Sequence, residues 1–155
     1  MPPRDRKRKK RIPAILLILL WILLPLPAYS VTFLQVVLRD ADRIYWERPI
    51  YPGDQFFLIH RNSIYDTWVW EAFLIDSEGS IWLDRIKTGS PAVLEYYGLE
   101  ESTSDWVRLS RKIDKIPMLI TPLGEVRIEW GTEKISLSAL MPEGTLIEIR
   151  THKLP

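Results

Sequence analysis

The chain has 155 residues, 46% hydrophobic and 26% charged, which suits one globular domain with extensions. The formal net charge is only +1, but it is divided: residues 1–11 hold seven basic side chains and one acid, while the remainder holds 14 basic and 19 acidic residues. There is no cysteine, which excludes disulfides and thiolate metal sites.

The chain opens with the basic run "MPPRDRKRKKR". An uncharged stretch follows, residues 12–30, with eleven consecutive apolar residues from Ala14 to Leu24. As a helix, 12–30 would rise about 28 Å, close to the thickness of a bilayer's hydrocarbon core. Cations ahead of such a segment stay on the cytoplasmic side, so the body is expected beyond the membrane. The basic run then reads as a topology signal, not as a nucleic-acid-binding arm. Two versions stay open. Ala28-Tyr29-Ser30 resembles a signal-peptide cleavage site. Trp21, Tyr29 and the apolar continuation from Val31 suit a retained anchor, although Pro25 and Pro27 would kink it. Residues 1–11 are thus a cytoplasmic tail, 12–30 an anchor or signal that contacts the lipid bilayer, and 31–155 an extracytoplasmic domain.

From Val31 the chain reads as short strands. "VTFLQVVLR" is rich in β-branched residues, and "RIYWERPIYPGD" holds a strand and then the turn Pro52-Gly53-Asp54. "QFFLIHR" and "TWVWEAFLI" are dense in aromatic and β-branched side chains, and "DSEG" turns the chain into "SIWLDRIK". "SDWVRLSRKIDKI" fits either a helix capped by Ser104 or Asp105 or two strands, and its β surroundings favour strands. Near the end, strict alternation puts Val126, Ile128 and Trp130 on one face. It does the same for Ile135, Leu137 and Ala139, and for Ile147 and Ile149 against Glu148 and Arg150. The expected fold is all-β, an antiparallel sandwich or a small barrel. One Asn and two Gln beside abundant Ile, Lys, Arg and Glu resemble thermophile usage.

Chemistry is sparse. His60, Asn62, Ser63, Asp66 and Glu71 lie close together in sequence. In an extended strand, however, His60 and Ser63 point to opposite sides, which is wrong for a nucleophile and its base. "NSIYDT" reads as a hairpin connection whose Asn, Ser and Asp bond the turn backbone. Two histidines without ligand spacing and seven isolated glycines give no metal, cofactor or phosphate signature. Fourteen of the 17 aromatic residues fall between Tyr45 and Trp130. Most should fill the core. Trp68 and Trp70 share a face and, with Asn62, Ser63 and Glu71, are the candidates for a ligand or partner surface.

The segment "FFLIHRNSIYDTWVWEAFLID" resembles the small extracytoplasmic proteins of the domain of unknown function 1850 family, through Ser63, Ile64, Thr67, Val69 and Glu71. Asn62 stands where that family usually has His, which puts any role attached to that His in question. "TGSPA", "SDWV" and "ISLSALMPEGTLIEIR" extend the resemblance over most of the body. It implies a β-rich domain beyond the membrane and an accessory role beside permeases of the tripartite, periplasmic-binding-protein-dependent (TRAP) class. It carries over no catalytic residue. The expected function is a non-enzymatic, tethered β-domain serving such a transporter; a ligand binder using the aromatic face and a hydrolase using His60 or Ser63 are the alternatives.

Overall fold

Alternating β-branched and aromatic side chains need two apolar layers facing each other, and the described residues build them from ten strands. The computed structural model describes residues 31–99, 105–122 and 124–154. The expected basic tail and the anchor or signal segment lie outside the described residues. The strands are β1 (Thr32–Leu38), β2 (Arg43–Ile50), β3 (Gln55–Asn62), β4 (Thr67–Ile75), β5 (Ile81–Thr88), β6 (Val107–Ile113), β7 (Lys115–Leu119), β8 (Val126–Trp130), β9 (Glu133–Ser136) and β10 (Leu146–Lys153). Two short helices interrupt them, α1 (Pro91–Tyr96) and α2 (Leu137–Leu140). One sheet runs β2-β1-β10-β7 and the other β6-β5-β4-β3-β8-β9, antiparallel throughout. Among the described residues no helix is long and apolar enough to cross a membrane.

The sheets meet through their inner faces, as expected of a sandwich. Phe56 and Leu58 of β3 and Phe73 and Ile75 of β4 pack against Leu34, Val36, Ile147 and Ile149 of the other sheet. Phe56 stacks between Phe73, at 5.0 Å, and Trp130, at 5.8 Å. Burying each such side chain contributes about 1.5–3 kcal/mol. Trp130 thus joins the core that its alternation with Val126 and Ile128 predicts.

The ambiguous segment is two strands, not a helix. Val107 and Leu109 of β6 face inward while Trp106, just before them, packs on Phe57 of the outer face at 5.8 Å. The chain breaks only at Asp114, where it passes from the edge of the larger sheet to the edge of the smaller one. Three further expectations are corrected. The strand through Ser136 does not continue: Leu137–Leu140 turn into α2, because Leu137 is fully buried and the chain must leave its sheet to reach β10. Glu148, read as a solvent-facing partner of the buried isoleucines, is itself buried. Helix α1 was not foreseen, although Ser90 before Pro91 is a helix-start pattern.

The six-stranded sheet extends beyond its partner, and α1 covers the rest of its inner face. Val93 and Leu94 of α1 close over Val69 of β4 and Ile86 of β5 to form a second, smaller core. The sandwich therefore has two unlike ends. At one end β1 begins, with Thr32 opposite Lys153 and Ile50. There the β4–β5 turn presses so close that a Cβ on Gly79, whose φ is +83°, would meet the Thr32 side chain at 2.9 Å. At the other end lie the β3–β4 turn and α1. The nine residues of β4 separate the two by about 26 Å at ~3.3 Å per residue.

Candidate functional site

The inner faces of β3 and β4 are apolar until they reach the α1 end. Along β3 the inward positions run Phe56, Leu58, His60, Asn62; along β4 they run Ile75, Phe73, Glu71, Val69. Glu71 lies opposite Leu58 and His60 opposite Val69, so the two polar side chains are diagonal neighbours on one face. His60 Nε2 is 3.4 Å from Glu71 Oε2, a close approach that is longer than a good hydrogen bond.

The second partner of Glu71 comes from far along the chain. Tyr97 follows α1, and its hydroxyl donates to Glu71 Oε1 at 2.7 Å. Its backbone is held at both ends: the amide donates to Val93 and Leu94 oxygens, and the carbonyl accepts from Arg111 Nη2 at 3.2 Å. Burial first, then the Glu71 charge and the hydrogen bond to it, push the Tyr97 hydroxyl far above the usual tyrosine range. The phenol therefore remains a neutral donor, and the carboxylate it serves is 7% exposed.

A pocket of about 310 Å³ opens above this group. Its floor is His60, Val69 and Tyr97; its walls are Val93 and Tyr96 on one side and Asn62, Ile64 and Tyr65 on the other. The β3–β4 turn is shaped to provide that wall. Asn62 Oδ1 accepts from the amides of Ile64, at 3.0 Å, and Tyr65, at 3.1 Å, and Arg61 pairs with Asp66 across the turn at 2.7 Å. Ile64 is thereby left 81% exposed and Tyr96, opposite, 84%. A second recess, about 270 Å³, lies on the other side of His60 and Asn62, against Ser63, Met118 and Leu119. A third, about 360 Å³, is bordered by Arg61, Trp68, Thr121 and Glu125.

The residues singled out in sequence separate into two groups. Asn62 shapes and lines the pocket, Glu71 lies under it, and Ser63 borders the second recess. His60 points inward beside Glu71, whereas Ser63 sits in the turn. Trp68 and Trp70 alternate with Val69 and Glu71 and so occupy the outer face, half-buried, with ring centroids 6.3 Å apart. Arg127 lies over Trp68 at 5.7 Å and Arg85 over Trp106 at 5.2 Å, so a guanidinium already engages the Trp68 ring. Sequence reading missed Tyr65, Tyr96 and Tyr97. The last is 26 residues from Glu71 and gives no local signal of the contact. Among the described residues no group of three or more His, Cys, Asp or Glu is placed to hold a metal ion.

Comparison with family models, with curated proteins and with solved structures gives no match.

Proposed function

We propose that this chain is a non-enzymatic, membrane-anchored extracytoplasmic binding domain that captures a small ligand in the pocket between α1 and the β3–β4 turn. The observation that carries the reading is the placement of that pocket. It lies at the end of the sandwich opposite to where Thr32 enters β1, and residues 12–30 precede that entry. An anchor there leaves the mouth pointing away from the bilayer, open to solutes. The mouth has the mix that small-ligand sites use, apolar walls with a few fixed polar groups. The resemblance noted above supports a neighbouring TRAP-class permease as the membrane partner, to which such a domain would be accessory.

Two measurements test this with the full chain. A single cysteine introduced by Tyr96→Cys should react with a membrane-impermeant maleimide on intact cells; labelling only after lysis overturns the location. In maltoside micelles, small solutes should saturably shift the methyl resonances of Val69 and Val93. If every solute that binds shifts only the Trp68 and Trp70 indole signals, the aromatic face replaces the pocket as the site.

A further inference from the structure

We infer that the pocket takes a small organic cation, an ammonium group on a short apolar stem. This rests on the binding reading above and gives that site its ligand class. The acid beneath the pocket has no fixed cation: among the described residues, no lysine or arginine nitrogen lies within 4.0 Å of Glu71. Its partners are the Tyr97 phenol and the His60 ring. A phenol does not cancel a carboxylate's charge, and an imidazole does so only when protonated. Arg61 is paired with Asp66, and Arg111 donates to the Tyr97 carbonyl. Burying a carboxylate this way is costly unless something positive completes it.

The lining matches the same ligand. Tyr65, Tyr96 and Tyr97 border the pocket, and aromatic faces attract cations through the ring quadrupole. Tyr97 gives its proton to Glu71, so its oxygen can offer a ligand only acceptor capacity. An ammonium donor can meet that oxygen, while the Asn62 amide nitrogen and the Tyr65 and Tyr96 hydroxyls remain as further polar groups of the lining. Ile64, Val69 and Val93 provide contact for an apolar stem, and among the described residues no lysine or arginine lines the pocket to receive an anion.

The test uses the full chain in maltoside micelles, titrated separately with phenethylammonium, phenethyl alcohol and phenylacetate while the Val69 and Val93 methyl signals are followed. The cation should bind at least tenfold more tightly than the alcohol, and phenylacetate should bind most weakly. Glu71→Gln should remove that tenfold advantage and leave the alcohol's affinity unchanged. Should that variant fail to fold, Tyr96→Ala, at an exposed position, decides: it should weaken the cation threefold or more. Equal binding of alcohol and cation, or preference for phenylacetate, overturns the cation inference and leaves the binding pocket standing. Absence of binding by all three at 50 millimolar, a concentration on the order of weak millimolar affinities, overturns both.

Discussion

Glu148 and Glu71 are equally hidden, each 7% exposed, and each sits in an interior strand, one in each sheet. Their surroundings differ. Glu148 lies on the outer face of β10, where Lys115 Nζ approaches to 3.1 Å and Arg150 Nη1 to 3.9 Å. Around it Gln35 donates to Glu47 at 3.2 Å, and Arg150 also pairs with Asp42 at 3.1 Å. Glu71 lies on the inner face of β4 and meets a phenol and an imidazole. The first acid belongs to a charge-balanced network that covers a sheet. The second is left short of positive charge beneath the floor of a pocket. That difference is why the proposed ligand site rests on Glu71 and not on Glu148.

That contrast can be broken in several ways, the largest through α1. Leu94→Ala should cost about 2–5 kcal/mol, the usual range for a buried leucine. Because Leu94 seats the helix that leads into Tyr97, the variant should also expose Tyr97, measurable as ultraviolet absorbance change on raising pH above 10, while leaving the Glu148 network intact. Tyr97→Phe should cost about 1.5–3 kcal/mol, the worth of a hydrogen bond to a charged group, read from denaturant melts. If it costs nothing, Glu71 is not held as described.

The comparison is sharpest when both acids are neutralised. Glu148→Gln should destabilise by about 1 kcal/mol, since it leaves Lys115 without its partner, an exposed cation that can hydrate, while Arg150 keeps Asp42. Glu71→Gln should leave stability unchanged or raise it, because an under-paired buried charge disappears while Tyr97 keeps an acceptor. Equal losses in the two variants would erase the distinction between the two glutamates.

The smallest effect belongs to the opposite end of the sandwich, as a reference. Asp76 accepts from the Ser80 and Glu78 amides, both at 2.8 Å, and from the Trp82 indole at 2.9 Å. The Ser80 amide first, then the Trp82 indole, hold its carboxyl below the usual aspartate range. The folded form thus favours the ionised state. Its contribution is present above about pH 4 and fades as pH falls through the lowered folded value. Asp76→Asn should flatten that acid limb of the stability curve and leave ligand binding at the far pocket unchanged.

Period-two alternation made the sandwich legible, because inward and outward positions follow from strand geometry alone. It placed Val126, Ile128 and Trp130 in the core and put Trp68 and Trp70 on one shared face. It read Asn62 as a turn-bonding residue, as its bonds to Ile64 and Tyr65 show. It failed at Leu137, where a change of sheet overrode the local pattern, and at Glu148, where neighbouring side chains bury an outer-face position. Which face of the larger sheet would be covered, and by what, was not in the local pattern either.

The amino-acid order by itself determined most of the strands and turns, the charge divide between residues 1–11 and the rest, and the alternation that brings Glu71 and Val69 to the same face. Only the tertiary structure decided that this face is the inner one, that α1 closes over it, and that Tyr97 crosses 26 residues of chain to meet Glu71. The reason is physical. Alternation is written in neighbouring residues, whereas burial of a carboxylate and completion of a pocket depend on which distant segment has apolar area to hide against the same sheet.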